Sequence, residues 1–270
     1  MKAFAYYGGK FSHLGFILPL LPSCSHFVDV FGGSGSVLMN RDPSPIETYN
    51  DIDQRVVNFF RVLRQNPQEL INALELTPYS RLEHELAKTH SKDELEEARR
   101  FFVLISQSRN AIANSSANWT STRTTTRRGM SKNVSAWLSS IDGLEEVVER
   151  FRSVQIENER AIPLIRKYDD KDTLFYCDPP YVHTSRVSVD NYKFEMVLEE
   201  HIELAEVLNN TSAKVALSGY DDPFYDMYYS DWYKTIATEK GIGSSKTLAT
   251  RQEVLWTNYE PSEQIRLFET

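Results

Sequence analysis

The tetrapeptide Asp178-Pro179-Pro180-Tyr181 follows directly on the apolar run Thr173–Cys177. Two successive prolines fix the backbone and remove two N–H donors, so the carbonyls before and between them keep one orientation. Beside them stand a carboxylate and a phenol ring. That set suits the exocyclic amino group of a flat heterocycle: Asp178 and the Pro179 carbonyl can accept its two N–H bonds, while Tyr181 can stack on the ring. Acceptors so placed favour the pyramidal, nucleophilic form of a nitrogen whose lone pair is otherwise delocalised, an electrostatic route to catalysis. Taken alone, the tetrapeptide also reads as a proline turn at the exit of a strand.

A second group is Asp29-Val-Phe-Gly-Gly-Ser-Gly35, an acidic strand end running into glycines that open a helix. Glycines let backbone approach a ligand closely, and a helix N-terminus offers free N–H groups. The dinucleotide fingerprint fits poorly, because Gly33 and Gly35 supply G-x-G but Leu38 stands at its third position, and no P-loop lysine follows. Tyr49-Asn-Asp-Ile-Asp53 ends the next strand, where an acid is well placed to bind ribose hydroxyls. A tight βα turn with an N-cap aspartate is the purely structural alternative.

These groups need a frame. Short apolar runs predict strands at His26–Phe31, Ile46–Asn50, Val154–Ile156, Thr173–Cys177, Lys214–Ser218 and Glu253–Thr257, with helices at Ser34–Arg41, Asp53–Arg64 and Phe194–Leu208. Between Pro67 and about Phe151 helical patterns dominate. Alternating strands and helices imply a mostly parallel sheet covered on both faces. The all-helical middle reads as an insertion, which gives a discontinuous α/β domain (1–75 and 155–270) around a helical subdomain (76–154). The strands leading to Gly33 and Asp178 are expected to be neighbours, with the ligand crevice at a topological switch point.

Composition narrows the class. Of 270 residues 41% are hydrophobic, enough for a real core, and eleven glycines with eleven prolines are too few for a collagen-like or disordered chain. Cys24 and Cys177 cannot make a disulfide framework or a four-cysteine zinc site. His183 and His201 lack a second His or Cys at ligand spacing, so no metal site is expected. The apolar stretch Leu14–Leu21 is short and broken by Pro19, and the amino-terminal MKAFAYYGGK reaches two glycines and a lysine before any signal-peptide core forms. A cytoplasmic protein without a membrane span is expected.

A net charge of −8 argues at first against a nucleic-acid partner. Its distribution argues the other way. Arg99, Arg100, Arg109, Arg123, Arg127, Arg128 and Lys132 fall in a span, Arg99–Ile141, that holds no acid, so the span is +7 and the remainder −15. Trp119 and the amides Gln107, Asn110, Asn114, Asn118 and Asn133 are interleaved. Arg and Lys can meet phosphates while Asn, Gln and Arg read base edges. A solvated charged loop is the bland alternative.

Six stretches now line up: Tyr6-Tyr-Gly-Gly-Lys10, Asp29-Val-Phe-Gly-Gly-Ser-Gly35, Tyr49-Asn-Asp-Ile-Asp53, Asp178-Pro-Pro-Tyr181, Leu217-Ser-Gly-Tyr220 and Glu253-Val-Leu-Trp-Thr-Asn258. In this order the chain resembles the Dam-type DNA adenine-N6 methyltransferases of bacteria and their phages. The resemblance implies a Rossmann-like, S-adenosylmethionine-dependent methyltransferase sheet whose helical insertion recognises the target, and methyl transfer to N6 of an adenine flipped out of double-stranded DNA. It would be a restriction-modification, orphan or phage-type enzyme. Tyr6, Tyr7, Gly9, Lys10, Asp29, Phe31, Gly33, Ser34, Gly35 and Ile52 would surround the cofactor. Asp51 would hold its ribose, and Asp178 would sit between cofactor and base. The proton lost from N6 would reach solvent through Asp178.

Arg109, Asn110, Trp119, Arg123, Arg127, Arg128 and Lys132 are the candidate DNA contacts. Residues 182–193 would cover the flipped base, and a loop at 241–251 would touch the DNA backbone. The expected state is a monomer or weak dimer. Two departures stand out: Arg160-Ala161 occupies a place where relatives carry an Asp-Phe or similar pair, and the insertion lacks the pattern of GATC-specific members. Methylation of RNA or of a protein glutamine, and a catalytically silent DNA-binding relative, are the alternatives.

Overall fold

A computed structural model describes residues 1–111, 117–182, 194–237 and 252–261. Its strands in chain order are β1 (His26–Asp29), β2 (Ile46–Asn50), β3 (Thr126–Arg127), β4 (Met130–Ser131), β5 (Gln155–Glu157), β6 (Thr173–Cys177), β7 (Lys214–Tyr220), β8 (Tyr233–Ile236) and β9 (Glu253–Thr257). All but β3 and β4 form one sheet in the order β5-β2-β1-β6-β7-β9-β8. The pairs from β5 across to β7 are parallel, and β9 runs antiparallel to both β7 and β8. β6 and β9 are buried at every position, which is why they read as unbroken apolar runs.

Successive strand residues point to opposite faces, and two cores result. Phe27, Leu174, Tyr176, Ala216 and Leu255 enter one. Val28, Phe175, Cys177, Val215, Leu217, Val254 and Trp256 enter the other.

The helices are α1 (Leu14–Ile17), α2 (Ser36–Asn40), α3 (Gln54–Gln65), α4 (Pro67–Glu75), α5 (Arg81–Leu86), α6 (Glu94–Gln107), α7 (Lys132–Asp142), α8 (Leu144–Phe151), α9 (Ala161–Tyr168), α10 (Leu198–Asn210) and α11 (Pro223–Tyr228), with a 3-10 turn at Lys10–His13. Side chains of Asp53, Ser80, Asp93 and Asp222 accept backbone N–H bonds at the starts of α3, α5, α6 and α11, satisfying donors that a helix start leaves open. α1 to α4 and α6 to α8 supply the first core, and α9 to α11 the second. Among the described residues no helix is long and apolar enough to cross a membrane.

Among the described residues of 76–154 the regular elements are helices and the small β3–β4 hairpin, which the sequence did not announce. This segment shares the first core with the sheet. Phe60 of α3 stacks on Phe151 of α8 at 4.4 Å between ring centres, and Phe4 meets Phe59 and Phe101, each at 5.3 Å. Arg150 of α8 reaches back to β2, pairing with Glu47 and donating to the Leu38 carbonyl at 2.7 Å.

Two further outcomes differ from expectation. β8 was missed because it is a largely exposed edge strand, YKTI, with little apolar alternation to read. Arg99 and Arg100 do not belong to a free basic surface: Arg99 pairs with Glu83 and Glu96, and Arg100 with Glu96. Those acids lie just outside the span counted above, so a charge sum along the chain could not see them.

Candidate active site

β1 and β6 are parallel neighbours, with Asp29 opposite Tyr176. The glycine turn after β1 and Asp178 after β6 therefore emerge side by side at the carboxyl edge. There they border a cavity of about 270 Å³. Of the residues named from sequence, Tyr6, Tyr7, Gly9, Lys10, Asp29, Phe31, Gly33, Ser34, Asp51, Ile52, Asp178 and Pro180 line it. Gly35, Pro179 and Tyr181 do not. Gly35 sits one step behind the wall as the N-cap of α2, at φ +67°, a conformation that glycine adopts without strain.

The turn is tightly tied. Gly33 N donates to Asp51 Oδ2 at 2.8 Å, and Asp53 N donates to Asp51 Oδ1 at 2.7 Å. Tyr49 Oη donates to the Gly33 carbonyl at 2.6 Å, and its ring lies so close that a Cβ on Gly32 would come within 2.2 Å of it. Gly32 is thus required by close approach, although Gly33 and Gly35 drew the eye in the motif. Asn50 bonds the Val30 carbonyl and exchanges two bonds with the backbone of Glu159, while Asn158 donates to the Asp51 carbonyl. This clamp brings Arg160, Ala161 and Ile162 onto the cavity wall beside Asp51. Arg160 pairs with Glu200 of α10.

Behind Asp178 lies a charged cluster. Lys10 Nζ is 2.8 Å from Asp178 Oδ1, 3.6 Å from Glu253 Oε1 and 3.0 Å from the Gly8 carbonyl, and it stands 4.8 Å above the Tyr181 ring. Tyr181 Oη donates to Glu253 Oε1 at 2.9 Å, and its ring meets that of Tyr220 edge-on. Glu253 went unremarked as a site residue; an acid opening an otherwise apolar strand was its signal. Burial raises Asp178 to about 6, with Lys10 opposing the rise and Glu253 adding to it. Burial also works against the Lys10 charge, but Asp178 and Glu253 outweigh it and hold the ammonium above its ordinary value.

Asp29 is more extreme: burial, then Asp178 and Asp51, raise it to about 8. Its Oδ1 is buried with no hydrogen-bond partner among the described residues. A wall carrying Asp29, Asp51 and Asp178, with Lys10 already paired, suits a ligand bearing positive charge.

Around the hairpin, Arg123, Arg127, Arg128 and Lys132 are exposed, as is Arg109 on its own short turn with Asn110. None of these arginines, nor Lys132, forms an ion pair with a described residue. Arg128 and Gly129 make the two-residue turn, both at positive φ, +54° and +72°, the geometry of a type I′ hairpin. Trp119 is placed differently from a base reader. Its Nε1 donates to Gln107 Oε1, its ring packs near Tyr79, and Arg81 covers it at 4.9 Å. His201 is buried in α10 near Phe224, in the manner of a core histidine. His183, Asn114, nearly all of the cover at 182–193, and the loop at 241–251 lie outside the described residues.

The doubly wound sheet, with its glycine turn and Asp-Pro-Pro-Tyr corner at one carboxyl edge, defines a Rossmann-like methyltransferase domain. Residues 6–242 match the family described as D12 class N6 adenine-specific DNA methyltransferase, and the chain belongs to that family. It is also similar to the type II methyltransferase M1.LlaDCHI of Lactococcus lactis subsp. cremoris, at 24% identity over 269 residues that cover 93% of each chain. Membership selects adenine N6 in DNA over RNA, protein glutamine and a silent binding module.

Proposed function

We propose that the carboxyl-edge cavity takes S-adenosylmethionine as the methyl donor and that Asp178, with the Pro179 carbonyl, holds the N6 amino group of a flipped adenine against it. The observation that carries this reading is the adjacency of Asp178 to an acidic cavity built on the glycine turn. Bound there, S-adenosylmethionine supplies an electrophilic methyl group on a cationic sulfur. Asp51 would bind the ribose, Asp29 with its unpartnered oxygen would face positive charge, and Tyr6, Tyr7, Phe31 and Ile52 would provide apolar walls. Asp178 and the Pro179 carbonyl would draw the amino nitrogen toward its nucleophilic form, with Tyr181 as the stacking aromatic. Extruding the base costs a few kcal/mol, offset by contacts in the pocket and along the backbone.

In this reading residues 76–154 recognise the target, and Arg109, Asn110, Arg123, Arg127, Arg128 and Lys132 form its DNA-facing side, with Trp119 packed behind them against Gln107, Tyr79 and Arg81. Similarity to a type II methyltransferase supports a role in sequence-specific DNA modification. Incubation with methyl-labelled S-adenosylmethionine and duplex DNA at low salt, followed by nucleoside analysis, should yield N6-methyladenine with wild type and none with Asp178→Ala. Folded, cofactor-binding protein that never labels adenine would overturn the proposal, and mapping the modified positions gives the target sequence.

A further inference from the structure

Glu253 opens β9, which runs antiparallel to both of its neighbours, and pairs there with Tyr220 of β7. It is 5% exposed, and a carboxylate so far from water must be matched by donors. Tyr181 Oη donates to it at 2.9 Å, and Lys10 Nζ lies 3.6 Å away as its ion-pair partner. The same ammonium is 2.8 Å from Asp178. One cation therefore serves two carboxylates, and Glu253 does not line the cavity: it acts on the reaction through Lys10, Tyr181 and its own charge on Asp178.

We propose that Glu253 is a positioning residue for methyl transfer: by sharing Lys10 and fixing the Tyr181 hydroxyl, it keeps Asp178 available to accept the hydrogen bonds, and finally a proton, of the target amino group. The inference rests on the methyl-transfer reading above. As the N6–carbon bond forms, the donor's sulfur–carbon bond breaks and its electron pair stays on sulfur. N6 is then left with one proton too many, and Asp178 takes it and returns it to solvent. An aspartate paired with Lys10 alone would hold its negative charge too well to accept that proton readily. Glu253 opposes this by drawing on the same ammonium.

The groups facing this cluster are Lys10 and His13 from the 3-10 turn, Asp29 from β1, Tyr176 and Cys177 from β6, Tyr181 from the corner, Tyr220 from β7 and Glu253 from β9. Of these, Glu253 is the one whose loss frees Lys10 for Asp178.

The test is the pH profile of the single-turnover methylation rate, with cofactor affinity measured in parallel. Glu253→Gln should slow the step about two- to threefold at neutral pH and move its acidic limb about half a pH unit downward, because Asp178 becomes more acidic. Tyr181→Phe keeps the ring but removes the donor to Glu253 and a hydroxyl that also lowers Asp178 directly. Both losses move the limb upward, and in the Glu253→Gln background the same change should move it less, because only the direct part remains. Opposite displacements are the signature, and a purely structural role would lower both rates with the limb unmoved. Shifts in the same direction, or none, would overturn the inference while Asp178→Ala still abolishes activity. Should Glu253→Gln fail to fold, an unmoved or downward limb in Tyr181→Phe overturns it. Activity surviving in Asp178→Ala would instead sink the reading of the site itself.

Discussion

Lys10 and Asp178 meet at 2.8 Å with their side chains only 6% and 16% exposed. A lysine from the amino-terminal turn thus neutralises the acid that ends β6, and neither group is stable at this depth without the other. The pair sits against the cavity that the glycine turn of β1 also borders, so the charge pair and the turn share one wall.

Lys10→Met should show that coupling. Burial and Glu253 would then push Asp178 above its present value of about 6, and the acidic limb of the rate profile should move upward. A raised folded pKa means stability present at low pH and lost as pH rises through it. The variant should therefore be about 3 kcal/mol less stable than wild type at pH 8 in urea titrations, and closer to it at pH 5.5.

Gly32→Ala should impair the proposed cofactor site without touching a polar group. The added methyl would meet the Tyr49 ring at 2.2 Å, and overpacking of this kind costs about 1–3 kcal/mol. Because Tyr49 also bonds the Gly33 carbonyl, cofactor affinity measured by calorimetry should fall along with the melting temperature.

Asp29→Asn separates stability from binding. In wild type the raised pKa of about 8 makes this residue's contribution greatest below the unfolded value near 4 and progressively lost as pH climbs through 8. The neutral variant should be the more stable protein at pH 8.5. Its affinity for S-adenosylmethionine should be weaker there, where wild type presents a carboxylate.

The hairpin makes a salt-dependent prediction. Arg127→Ala should weaken binding to all duplexes similarly and reduce the slope of log affinity against log salt by about 0.9 if Arg127 meets one phosphate. Arg128→Gly should stabilise the turn, since a non-glycine residue at φ +54° costs about 1–2 kcal/mol, yet lower DNA affinity. Filter binding across salt concentrations checks both, with cofactor affinity unchanged as the control.

The sheet was largely legible because its strands obey local rules. Thr173–Cys177 and Glu253–Thr257 are apolar enough to be strands buried on both faces, and their bounds agree with the structure. Gly33, Asp51 and Asp178 were legible as a set because a glycine turn and acids at strand ends are local signals of a ligand edge. The exposed strand Tyr233–Ile236 and the two-residue strands of the hairpin carry too little pattern to be read.

The sequence by itself determined the class of chemistry: an amino-group corner, a close-approach turn and an acid at the next strand end, each defined by a few consecutive residues. What only the tertiary structure decided were the relationships among distant charges. Lys10 lies against Asp178 and Glu253, Arg99 and Arg100 are neutralised by Glu83 and Glu96, and Tyr49 makes Gly32 indispensable. Electrostatic energy depends on distance and burial. Neither is written along a chain until strands from both its ends lie side by side.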